Sequence, residues 1–167
     1  MKALPDISLE KAWTLLEEVI DPEIPVLTVL DLGIVRDVKI MGEEVEVVIT
    51  PTYSGCPAMD VIKMSIRMTL QSNGFKKVKV TQVLTPAWTT DWMSEAGKEK
   101  LKEFGIAPPN PRQQVCRDEL FAPNEAVECP HCHSWHTTRF SEFGSTACKA
   151  LYKCLDCQEP FDYFKCH

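Results

Sequence analysis

Apolar residues recur at helical spacing from Leu9 through Ala12, Trp13, Leu16, Val19 and Ile20, with Glu10, Lys11, Glu17 and Glu18 mostly on the other face. Ser8 precedes this run as an N-cap, and Asp21-Pro22 is expected to end it, because a residue before proline is pushed out of the helical region. The segment from Asp21 to Ile34 is acidic and turn-rich. The period then changes to two. Val35 to Ile40 reads as a strand, Met41-Gly42-Glu43 as a hairpin turn, and Val45, Val47 and Ile49 as the inward positions of a second strand. After Cys56-Pro57 helical spacing returns through Val61, Ile62, Ile66 and Leu70, and Asn73-Gly74 provides a stop. A third strand is expected over Lys77 to Leu84 and a short last helix from about Ser94 to Phe104. The order helix, strand, strand, helix, strand, helix predicts a small α+β domain with helices against one sheet, over residues 1–106.

Residues 107–124 change character, with Pro108-Pro-Asn-Pro111 followed by mostly polar positions, and read as a linker. Residues 125–167 carry short aromatic and apolar runs, Trp135 to Ser141, Ala150 to Lys153 and Phe161 to Lys165, which suit a small β module.

The chain has 167 residues, 44% of them hydrophobic, and a formal net charge of -6. Its length suits one domain of ordinary size or two small ones. No stretch is long and apolar enough for a membrane helix and the N-terminus lacks the apolar segment of a secretory signal, so a cytoplasmic location without membrane contact is the expectation. Residues 107–167 hold six basic against eight acidic side chains, a net of -2, which argues against a nucleic-acid partner.

Cysteine placement changes the picture most. Of eight cysteines, seven follow residue 115 and Cys56 stands apart. Cys129-Pro-His-Cys132 and Cys154-Leu-Asp-Cys157 have the spacing that lets two thiolates of one turn converge on one ion, so Cys129, Cys132, Cys154 and Cys157 predict a zinc ribbon with a closed structural Zn2+ site. His131, His133 and His136 leave a His-for-Cys exchange open, although four cysteines already complete the shell. Cys148 and Cys166 fit packing, a redox pair or an alternative ligand set, and Cys116 reads as an exposed thiol in the linker. Cys56 lies where a strand hands over to a helix. Helix-terminal N–H groups would favour its thiolate there, with Gly55 allowing a sharp turn and Pro57 at the first helical position; the alternative is a small buried core cysteine. Asp21, Glu23 and Asp31 are either turn formers or acidic neighbours of this sulfur, and Trp88, Trp92 and Met93 either fill the core or form a partner surface.

Asp21-Pro-Glu-Ile-Pro25, Asp31-Leu-Gly-Ile-Val35, Thr52-Tyr-Ser-Gly-Cys56-Pro57, Pro86-Ala-Trp88 and Met93-Ser-Glu95 together resemble the iron-sulfur cluster assembly domain of SufT-like proteins, over about residues 8 to 106. Cys129-Pro-His-Cys132, Ser141 to Tyr152 and Glu159 to Cys166 are similar to the C-terminal half of the PaaD family of phenylacetate degradation. The resemblance implies a non-enzymatic accessory or maturation factor of the phenylacetyl-CoA epoxidase system, a ring monooxygenase. It further implies help with iron-sulfur cluster assembly in the reductase component. Carried over, Cys56 is the cluster-handling residue, with Asp21, Glu23 and Thr52 as candidate neighbours and transient iron or an iron-sulfur cluster as cargo. A non-catalytic structural subunit of the oxygenase is the alternative. A thiol-disulfide enzyme is disfavoured because no Cys-x-x-Cys surrounds Cys56. A homodimer bridging a cluster between two copies of Cys56 is physically open.

Overall fold

Two sheets, built from different kinds of sequence, organise the chain. The structure is a computed structural model that describes residues 8–109 and 126–165. It divides between Ser94 and Glu95 into two compact units.

The first unit holds helix α1 (Leu9–Leu16), strands β1 (Val35–Met41) and β2 (Glu44–Ile49), helix α2 (Ala58–Ser72), strand β3 (Lys77–Gln82) and a 3-10 turn at Thr90–Trp92. The sheet order is β1-β2-β3. β1 and β2 form an antiparallel hairpin through Gly42, while β2 and β3 run parallel and therefore need α2 as a crossover. Alternation sets the faces: Val45, Val47 and Ile49 are fully buried, whereas Glu46 on the opposite face takes Lys79 at 2.8 Å and Thr81 Oγ1 at 2.6 Å. α1 packs on α2 and β1, and α2 on β3. Ala12, Leu16, Ile62, Ile66, Leu70 and Phe75 fill this layer at 0–1% exposure.

α1 stops at Leu16 rather than running to Asp21. The next residues make tighter turns, Glu17 N to Thr14 O and Val19 N to Leu16 O. Val19 and Asp21 then pair with Val29 and Leu27, closing an inward-facing loop. Tertiary pairing therefore ends this helix four residues before the proline rule would. The segment expected only as turns buries Ile24, Leu27, Val29, Leu32 and Ile34 at 0–2% exposure. β3 also ends two residues early, at Gln82.

The second unit contains α3 (Glu95–Glu103), β4 (Ile106–Ala107), β5 (Thr137–Ser141), β6 (Lys149–Cys154) and β7 (Pro160–Phe164). Its sheet order is β4-β7-β6-β5. β5, β6 and β7 are antiparallel, and β4 adds parallel to β7 through Ile106 opposite Asp162 and Ala107 opposite Tyr163. The expected boundary at 106 is thus displaced. α3 packs on β4 and belongs with the second unit, and Ala107, expected to open a linker, is a buried strand residue. The remainder of the expected linker with Cys116, and also Cys166, lies outside the described residues. Tyr152, Phe161 and Tyr163 form the aromatic core here, with Tyr152 stacked on Phe161 at 5.9 Å between ring centroids.

Candidate functional site

Cys56 closes the loop between β2 and α2. Gly55 has φ 87°, a conformation few other residues tolerate, and turns the chain so that the next residue faces the helix end. Pro57 occupies the N-cap of α2 with helical φ and ψ, one position before the first helical residue, and no side chain caps this end. The sulfur of Cys56 takes that place, accepting from the Ala58 N–H and from the Tyr53 side chain. The residue is half-buried, neither sealed in the core nor fully open.

Electrostatics run against the expected thiolate. Burial pushes the Cys56 thiol above its ordinary value, and the carboxylates of Glu23 and Asp21 push the same way. The Ala58 N–H and the Tyr53 side chain pull down, without prevailing. The expected thiolate rests on the helix-end amides, with Asp21 and Glu23 open as either turn formers or acidic neighbours. Burial in the folded chain is what outweighs those amides, and the acidic loop that adds to it comes from residues more than thirty positions earlier.

Asp21 is both of the things it was expected to be. Its Oδ1 accepts from the Glu23 N–H at 2.7 Å and the Ile24 N–H at 2.8 Å, an Asx turn, and its charge reaches Cys56. Asp31 is a turn former instead: Oδ2 accepts from Thr28 N and Oγ1, and Oδ1 from Ser94 Oγ at 3.0 Å. Thr52 sits half-buried in the Cys56 loop. At the head of that loop, Thr50 has a fully buried hydroxyl with no hydrogen-bond partner among the described residues. Tyr53 and Thr50 were passed over in the sequence. The signal available for Tyr53 was a phenol three residues before a cysteine in a tight turn.

Trp88 and Met93 are core residues. Trp88 is buried and donates Nε1–H to the Leu32 carbonyl at 2.9 Å. Trp92 is half-buried, with the Arg36 guanidinium 3.5 Å above its ring centroid.

In the second unit the four knuckle sulfurs lie within 4.8 Å of one another, with Cys129 to Cys157 at 3.8 Å and Cys132 to Cys154 at 3.5 Å. Metal–sulfur bonds of about 2.3 Å in a regular tetrahedron set sulfurs about 3.8 Å apart, so the donor set fits one tetrahedral thiophilic ion. Both knuckles turn the same way. His133 and Gln158, each directly after the second cysteine, have φ 62° and 65°. The Cys129 thiol is pushed up by burial, against N–H donors from Cys132 and His131, and the Cys157 and Asp156 amides help hold Cys154 down to about 7. The histidines serve other partners: His133 Nδ1 meets Glu128 at 3.1 Å and His136 Nδ1 meets Asp156 at 3.0 Å. Asp156 also bonds Ser134, which ties the second knuckle to the first. Cys148 is buried outside this cluster, its sulfur 3.1 Å from Thr146 Oγ1.

Residues 9–83 match the family described as iron-sulfur cluster assembly protein, and residues 113–165 match the PaaD zinc beta ribbon domain. Over 158 residues the chain is 54% identical to an Escherichia coli K12 protein named as a putative 1,2-phenylacetyl-CoA epoxidase subunit, covering 95% of this chain and 93% of that one. The chain belongs to the PaaD family. The first unit alone has wider kin. An "Fe-S protein maturation auxiliary factor" of Porphyromonas gingivalis is 41% identical over 94 residues, 55% of this chain and 86% of that one. Among solved structures, a domain of unknown function, DUF59, from Bacillus anthracis is 30% identical with a TM-score of 0.52, covering 55% of this chain and 89% of its own. A conserved hypothetical protein of Thermotoga maritima is 30% identical with a TM-score of 0.50, covering 58% and 96%. This PaaD-family chain therefore joins an iron-sulfur-assembly-type α+β unit to a ribbon with a four-cysteine metal-binding cluster.

Proposed function

We propose that this protein is a non-catalytic maturation factor that delivers an iron-sulfur cluster to the reductase component of phenylacetyl-CoA epoxidase, with Cys56 as the transient ligand. The observation that carries the proposal is the setting of that sulfur. A half-buried thiol is held at the head of α2 by the Ala58 N–H and Tyr53, within the field of Glu23 and Asp21. The carboxylates that disfavour a bare thiolate favour a cation beside it. Ligation of a cluster iron by Cys56 Sγ displaces the thiol proton, and release to the client's cysteines returns it. One protein sulfur holds its cargo more weakly than a four-cysteine cage, which suits transfer.

The ion of the ribbon is proposed to be structural Zn2+, held by Cys129, Cys132, Cys154 and Cys157. Four protein sulfurs leave no open position for chemistry, so its contribution is to fold a module with a small core. The location proposed with this role is the cytoplasm, where a reductase client would be assembled. No helix among the described residues is long and apolar enough to cross a membrane.

The test is to replace Cys56 with Ser and measure iron and acid-labile sulfide in reductase purified from cells. Reduced loading is expected, and normal loading overturns the proposal. A second reading, a structural component of the oxygenase, draws on the epoxidase name carried by the Escherichia coli relative. It requires stoichiometric co-purification with the oxygenase and indifference to the Cys56 substitution.

A further inference from the structure

α2 is amphipathic on its inner side, yet its outer side is not uniformly polar. Val61, Met64 and Met68 are 52%, 62% and 60% exposed and stand at i, i+3 and i+7, so they form one apolar stripe along the helix. Exposed Pro57, one turn before Val61, continues the line to Cys56. The core needs none of these side chains, since the same helix buries Ala58, Met59, Ile62, Ile66 and Leu70.

We propose that this stripe is the surface on which the cluster-receiving client docks, taking α2 into an apolar groove whose rim carries carboxylates; the inference rests on the cluster-delivery reading of Cys56. Three observations select this occupant. The first is size. A stable homodimer commits about 20–30 residues per side, and three side chains facing their own copies fall far short of that. A groove, by contrast, encloses a helix and reads it through i, i+3 and i+7 anchors, the spacing present here. The second is charge. Asp60 beside the stripe is met by Lys63 at 3.4 Å, whereas exposed Arg67 has no hydrogen bond or ion pair among the described residues. Beside the stripe the charge left for a partner is the Arg67 guanidinium, so the rim that meets it is acidic, while the part of the client that reaches Cys56 faces Glu23 and Asp21. The third is position. Cys56 lies at the head of the stripe, about 18 Å from Met68 at the helical rise, so a groove closed on α2 brings the client's edge up to the sulfur. Methionine suits contacts that form and release, because its flexible thioether adapts to several surfaces.

The experiment uses the full chain and, as probe, the cluster-free reductase component of the epoxidase, with affinity measured by calorimetry at two salt concentrations. Met64→Glu with Met68→Glu is expected to weaken binding about tenfold or more per methionine. Arg67→Glu is expected to weaken binding and flatten its salt dependence, and Cys56→Ser, read by the iron content of the reductase, to fail to load. Met64→Gln with Met68→Gln, a milder pair, covers the case in which the acidic variant does not fold, as judged by circular dichroism. Three results overturn the inference: both double variants binding with wild-type affinity, wild type not binding the reductase, or a wild-type dimer that the double variants dissociate. Failure of the delivery reading looks different, since Cys56→Ser would then load normally while the methionine variants still bind poorly.

Discussion

At the residue scale, the proton on Cys56 is decided by a contest in which burial and two carboxylates outweigh one amide and one phenol. Because its folded value is raised, the folded protein holds this proton more tightly than the unfolded chain does. The associated stability is complete below the unfolded value and is lost as pH rises through the folded one. Alkylation of Cys56 by iodoacetamide, followed by mass spectrometry of its peptide, should therefore be slower at pH 8 than for free cysteine. Glu23→Gln should speed it and Tyr53→Phe slow it further. A rate for Cys56 above that of free cysteine would mean that burial and the carboxylates do not govern the site. Gly33 offers a second test. It has φ 65°, and a Cβ built on it would collide with the Trp92 carbonyl, on the path that holds the 3-10 turn in place. Gly33→Ala should cost about 2–3 kcal/mol in urea denaturation, from backbone strain plus displacement of Trp92.

At the element scale, the two helices of the first unit begin differently. α1 has a side-chain cap, Ser8 Oγ accepting from Lys11 N–H at 3.2 Å, so Ser8→Ala should destabilise by about 1 kcal/mol. α2 has no such cap, and the Cys56 sulfur accepts from its first amide instead. A site residue thus also supports the helix that presents it. Ile66, fully buried on the inner side of α2, should cost about 2–5 kcal/mol when cut to Ala, whereas the exposed Met68 should tolerate the same change within about 0.5 kcal/mol. Comparable losses at the two positions in thermal unfolding would contradict the division of α2 into a packed and a presented face.

At the scale of the whole molecule, two units draw their stability from different sources. The first has a layered apolar core. The second rests on a small aromatic cluster and four cysteines, so metal removal should act on it selectively. Chelation by EDTA at neutral pH, or Cys154→Ser, should abolish hydrogen-exchange protection across β5, β6 and β7 and leave β2 and α2 protected. Uniform loss across the chain would show that the ribbon's metal supports both units. Unchanged protection would show that the ribbon folds without it.

Local periodicity carried most of the first unit. The alternation of Val45, Val47 and Ile49, the hairpin at Gly42 and the stop at Asn73-Gly74 depend on neighbours a few residues apart, and so do the two knuckles, whose ligands sit three residues apart in tight turns. These were legible because the forces that fix them act within one turn or one strand. Three things needed the folded chain. α1 ends at Leu16 because Val19 pairs with Val29, α3 joins the second unit because Ile106 and Ala107 pair with β7, and the Cys56 thiol is raised because the fold half-buries it and brings Glu23 and Asp21 toward it. Strand pairing and Coulomb fields link residues far apart in the chain. The sequence by itself therefore determined where the cysteines and acidic residues stand along the chain, while the tertiary structure decided which of them meet and in what surroundings.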